Sequence, residues 1–182
     1  MLTRKLQELI NQIADERRLL LEAVTALSDA QLDYRPGEGG WSISDILHHL
    51  SLSDEANVKL SSIMLKQAAE KNLPPDGSPE ASVLRSLDGL NGRLNTRVKA
   101  PDRVAPRSHL PAAQSLARLN ASRQKLLDVV EELSRYDLAQ LSWPHPFLGD
   151  LNLYQWLIMA GKHESRHTRQ IGRIKADPLF PS

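Results

Sequence analysis

Apolar residues recur at helical spacing in four long stretches of the chain. From about Thr3 to Leu27, the residues Leu6, Leu9, Ile10, Ile13, Leu20 and Val24 form one stripe, and Thr3 stands where an N-cap is needed. The Gly- and Pro-rich 33-DYRPGEGGWS-42 reads as a loop, and a second helix opens at Trp41 or Ser42. Ser42 and Asp45 have the spacing of a capping box, with Asp in place of Glu, and the helix continues to about Lys71. Residues 72–110 are irregular, broken by 74-PPDGSPE-80 and 100-APDRVAP-106, with room for one short helix over 82–98. A third helix runs from Pro111, a good first-turn residue, to about Leu133. A second loop, 142-SWPHPFLGD-150, leads to Asn152 as N-cap, and the last helix covers about 153–176, stopping before Pro178. No stretch alternates as a strand does, so no sheet of consequence is expected. The pattern predicts an all-α four-helix bundle with a long irregular connection between helices 2 and 3. One domain over residues 1–182 suits that length.

Composition narrows the chemistry. The chain has no cysteine, which excludes disulfides and thiolate metal sites; any metal is held by His, Asp or Glu. With 23 basic and 22 acidic residues the net charge is +1, so no basic excess points to nucleic acid. The first 21 residues carry charge throughout and do not read as a signal peptide, and no apolar run approaches the roughly 20 residues that span a bilayer. A cytoplasmic location fits these features.

Candidate chemistry concentrates in 161-GKHESRHTRQI-171, where His163-Glu164-Ser165-Arg166-His167 spells H-E-x-x-H. At about 100° per residue, His163 and His167 lie about 40° apart inside the apolar stripe of the last helix. Spaced i, i+4, both reach one ion; the alternative is a pair of core histidines bonded to neighbouring side chains or water. A zinc-protease reading fails on context. After His167 there is no further His or Glu, Gln170 and Arg173 occupy the later positions of the longer motif, and no sheet flanks the helix. A third ligand must come from upstream, where His48, His49, His109 and His145 are available. On the second helix His49 flanks the apolar face, whereas His48 falls on the solvent side with Lys59 and Lys66; His109 and His145 lie in loops. The geometric expectation is a metal site of His49, His163 and His167, which leaves positions open for water or substrate.

Neighbouring residues carry weaker expectations. Asp54 and Glu164 are candidates to orient the ligands, with an ordinary surface charge favoured for Glu164. Gln170 is placed to orient a water or substrate, or is a helix-edge amide. Trp41 and Trp156 read as packing residues. Tyr34 and Arg35 line a mouth or merely the surface. Arg166, Arg169, Arg173 and Lys175 point away from the apolar stripe as a solvated basic edge, or attract an acidic thiol cofactor.

Two segments, 40-GWSISDILHHLSLSDE-55 and 144-PHPFLGDLNLYQWLIMAGKHESRHTRQI-171, resemble the DinB/YfiT-like superfamily of four-helix bundles, in particular its DinB_2-type branch. The matching features are Trp41-Ser42 near a helix start, His49-Leu50 eight residues on, a His-Pro…Gly loop, and H-x-x-x-H-x-x-Q-I over His163, His167 and Gln170. The resemblance implies the same three histidines as ligands of a divalent metal, often zinc or nickel, and frequent homodimers. It also implies a kinship of activity with transferases and isomerases that use low-molecular-weight thiols such as bacillithiol or mycothiol. The functional expectation is a metal-dependent enzyme acting on a small-molecule substrate, of the thiol-transferase type. The alternative is a non-catalytic metal- or ligand-binding protein of stress response.

Overall fold

A computed structural model describes residues 2–37, 39–77, 82–88 and 100–182. Its long helices are α1 (Arg4–Val24), α3 (Ile43–Glu70), α4 (Ala112–Leu133) and α5 (Leu153–Lys175). A short α2 (Asp29–Asp33) follows α1, and an antiparallel pair, β1 (Ser142–His145) and β2 (Gly149–Asn152), precedes α5. The architecture is a mostly helical four-helix bundle with this one small sheet among the described residues.

The helix starts follow local chemistry. The Thr3 hydroxyl accepts from the Leu6 amide at 3.3 Å. Ser42 and Asp45 cap each other reciprocally, amide to side chain, at 3.1 and 3.0 Å. Asn152 and Gln155 do the same at 3.0 Å each, fixing the residue at which α5 begins. Each pair satisfies amides that a helix N-terminus leaves without intrahelical partners.

Three expectations shift. Helix α1 ends at Val24, short of Leu27, because Ser28 and Gln31 form a capping box that nucleates α2. The loop over 142–150 folds as a hairpin, with Ser142 opposite Asn152 and His145 opposite Gly149. Gly149 has φ +83, in the region that favours glycine, and lets the chain re-enter the second strand. The expected helix over 82–98 lies partly outside the described residues; within 82–88 the chain makes turns and buries Leu87 in the core.

Packing divides into two apolar clusters. Toward one end Leu6, Leu9, Ile13, Leu126 and Leu157 interlock; toward the other Leu20, Ile46, Leu50, Leu119 and Ile171 do so. Helix α3 packs on α4 and α1 on α5, and α3 also meets α5. Helix α3 is therefore covered on two sides, which corrects the expectation for His48. It is buried at 8 % exposure rather than solvent-facing, because α4 lies over that face. No helix among the described residues is long and apolar enough to cross a membrane.

Candidate metal centre

Helix α3 delivers His49 and α5 delivers His163 and His167 to one point. Their candidate ligand nitrogens all lie within 4.8 Å of one another. His163 Nε2 stands 3.1 Å from His49 Nε2 and 3.1 Å from His167 Nε2. His49 and His167 are buried and His163 is half-buried.

The protons on these rings can be assigned from their other contacts. The Val104 carbonyl can only accept, so His49 Nδ1–H donates to it at 2.8 Å. His167 Nδ1–H donates to Gln170 Oε1 at 2.9 Å. Both rings therefore turn an unprotonated Nε2 toward His163, whose single imidazole proton cannot satisfy two lone pairs fully. Extra protons are resisted. Burial, then the neighbouring imidazoles and Arg166, hold His163 well below the ordinary value. Burial, His49 and Arg166 push His167 down to about 3. Burial lowers His49 as well, against the pull of the Val104 carbonyl, and Arg166 adds to the lowering. Three neutral imidazoles converge with more lone pairs than protons, which is the donor set a divalent cation takes. The residues present fit such an ion.

Around this point the chain forms a broad cleft of about 1490 Å³. Trp41 is a wall of it, with its ring centroid 4.9 Å from that of His49 and 6.4 Å from that of His167. Trp156 is another, held by a 3.1 Å bond from its indole N–H to the Trp143 carbonyl. Both tryptophans are half-buried and pack against the apolar clusters, as expected, while also lining the cleft. Arg166, Arg169 and Arg173 do not simply point to bulk solvent; all three line the cleft. Tyr34 packs edge-on against Phe180 and Arg35 pairs with Asp45, and neither lines the cleft. His145 lines it from the hairpin, whereas His109 does not and lies 3.8 Å from Asp33.

Glu164 and Asp54 do not hydrogen-bond the three imidazoles. Glu164, expected at the surface, is 1 % exposed. Its Oε1 accepts from Arg17 Nη2 at 2.5 Å and from Arg123 Nη2 at 2.8 Å. Asp54 Oδ2 accepts from Arg17 Nη2 at 2.8 Å. This buried network takes one residue from each long helix. Burial raises the Glu164 carboxyl, opposed by the two guanidinium groups. The Glu of H-E-x-x-H thus anchors α5 to the bundle and leaves the histidines on either side of it facing the cleft. Sequence reasoning missed the arginines, although a signal was present: Arg17 continues the stripe of Ile13, Leu20 and Val24, and Arg123 that of Leu119, Leu126 and Val130. A charge on an apolar stripe calls for a buried partner. It also missed the Val104 carbonyl, for which no motif exists.

Comparison with known proteins places these features in a family. Residues 12–171 match the family model described as the DinB superfamily. The uncharacterised protein YuaE of Bacillus subtilis is 29 % identical over 150 residues, covering 82 % of this chain and 86 % of that one. A protein of Oceanobacillus iheyensis, named "Putative metal-dependent hydrolase", is 26 % identical over 93 % of this chain and 87 % of its own. Among solved structures, the four-helix bundle protein TT2238 superposes with a TM-score of 0.62 at 21 % identity, over 92 % of this chain and 98 % of that one. YfiT from Bacillus subtilis, described as "a probable metal-dependent hydrolase with an unusual four-helix bundle topology", gives 0.56 at 16 % identity, over 96 % and 88 %.

Proposed function

The chain belongs to the DinB superfamily, and on that premise we propose that it is a divalent-metal-dependent enzyme acting on a small molecule, with His49, His163 and His167 as the metal ligands. The observation that carries this reading is the convergence of three neutral imidazoles with too few protons to satisfy one another. The name borne by relatives such as the Oceanobacillus protein supports it. A divalent ion supplies a Lewis acid that lowers the pKa of a water or a substrate thiol.

The chain's own residues would do the rest. Val104 and Gln170 fix the tautomers of His49 and His167, so that both offer Nε2 without prior loss of a proton. Trp41 shields one side of the site from water. The wide cleft leaves an approach for substrate. The chain has no cysteine, so a thiol nucleophile would have to be brought by a co-substrate, and a metal-activated water is the nucleophile for hydrolysis. Hydrolysis is the reading the names of relatives favour; transfer of a low-molecular-weight thiol is the finer proposal, and zinc or nickel the metal proposed.

Elemental analysis of untagged protein tests the ligand set, with wild type beside His49→Ala and His163→Ala. About one metal per chain in wild type, lost in both variants, is the expected result. No metal, or metal that survives the His49 change, overturns the assignment. Turnover of the loaded protein is then assayed with activated esters and amides, and with a small thiol plus an electrophile. Stoichiometric metal without turnover in either assay would favour a binding protein.

A further inference from the structure

The charges lining the cleft do not balance. Five cationic side chains face it, Arg103, Lys162, Arg166, Arg169 and Arg173, against one carboxylate, Glu16. None of the five has a salt bridge or side-chain hydrogen bond to any described residue. Elsewhere the chain pairs its cations readily: Arg118 binds Glu55 through two bonds of 2.8 Å, and Arg17 sits between Asp54 and Glu164.

A solvated helix face is the bland explanation, and it suits Arg173 and Lys175, which lie in the last turn where the helix dipole favours positive charge. It does not suit Arg166. That residue stands in the middle of α5, is half-buried, and has its charged form disfavoured by burial and then by Arg173 and Arg169. Spacings of three and four residues put these guanidiniums side by side on one helix face, where like charges repel. The mutual repulsion extends to the imidazoles, which all feel Arg166.

The hairpin adds a neutral donor to the lining. The Phe147 amide donates to His145 Nδ1 at 3.2 Å, which leaves the proton of the neutral ring on Nε2. The ring lies 4.9 Å from that of Trp156, and its Nε2 has no partner among the described residues. Arg103 is near enough to be felt at His145. Positive charge and an N–H donor therefore line the same cleft as the three imidazoles, an arrangement that focuses an attractive field on anions.

We propose that the cleft is an anion-binding site, and that the small molecule it takes carries carboxylate or phosphate groups held by Arg166, Arg169 and Arg173 beside the three imidazoles, with Arg103 and His145 in the same lining. The inference deepens the reading of the cleft as a substrate site, but it rests on the unpaired cations and not on a metal. The match is between planar guanidinium donors and the paired oxygens of an oxyanion.

Malonate and its neutral diamide, malonamide, are the probes, titrated into the full-length protein by amide NMR, both as isolated and after metal removal. Malonate is expected to bind at least tenfold tighter than malonamide, roughly, with shifts centred on α5 and the hairpin. The preference should shrink several-fold between about 20 and about 200 mM salt. The triple variant Arg166→Gln, Arg169→Gln, Arg173→Gln should lose about tenfold in malonate affinity while keeping its helical content and its metal. Equal binding of the two probes, an unchanged malonate affinity in the triple variant, or malonate binding that disappears with the metal would each overturn the proposal. Protein isolated without any metal that still discriminates malonate from malonamide would uphold it while removing the metal assignment. Stoichiometric metal with no discrimination would do the reverse.

Discussion

At the residue scale, a few side chains serve the site through others. Gln170 fixes His167 by accepting its Nδ1 proton. Gln170→Leu should therefore weaken metal affinity by about 10–100-fold without unfolding the protein, read by competition with a chromogenic chelator. Glu164 serves a different purpose. Its Oε1 is shared by the guanidiniums of buried Arg17 and part-buried Arg123, so Glu164→Ala leaves cationic charge with one carboxylate fewer inside the bundle. A loss of about 3–5 kcal/mol is expected, seen as a lower urea midpoint. If Glu164 were a catalytic base of the zinc-protease kind, the same change would abolish activity at little cost in stability. The two outcomes separate the motif's spelling from its use here.

At the element scale, reciprocal caps place the ligands. The Ser42–Asp45 box fixes the first residue of α3, and His49 stands two turns later. Ser42→Ala removes one buried cap bond and should cost about 1 kcal/mol, measured by thermal unfolding. The loop before it also needs Gly40, where an added Cβ would run into the Pro36 backbone carbonyl. Gly40→Ala must displace backbone beside Trp41, so it should weaken metal binding more than it lowers the melting temperature. The hairpin shows the limit of reading periodicity. Strands of four residues with Pro144 in one of them carry too little alternation to be recognised, and the pairing comes from the turn at Gly149 and the burial of Leu148 and Leu151.

At the scale of the whole molecule, the site links folding to pH. The three imidazoles have folded values below the ordinary 6.5, near 3 for His167. Below pH 6.5 the unfolded chain takes up protons at these rings more readily than the folded chain does. The stability they contribute is thus complete above about pH 6.5 and is lost as the pH falls toward their folded values. Metal-free protein should lose up to about 1.4 kcal/mol per pH unit for each ring in that window, followed by denaturant unfolding between about pH 7 and about pH 4. Metal binding to the folded state alone adds stability by mass action, by about 4 kcal/mol at a thousandfold excess over Kd. A chelator should therefore lower the melting temperature at neutral pH.

The sequence by itself determined the local features: four long helices, the caps at Thr3, Ser42 and Asn152, and the spacing that puts His163 and His167 on one face. These depend on contacts within a few residues, which the order of the chain specifies directly. It also singled out His49, because its helical position borders an apolar stripe. What covers each stripe was decided only by the tertiary structure. Helix α4 buries His48, the bundle encloses Glu164, and a carbonyl from the irregular segment reaches His49. A helical wheel separates apolar from polar faces but not which polar face meets another helix, so Glu164 looked like surface until its partners Arg17 and Arg123 arrived from distant parts of the chain.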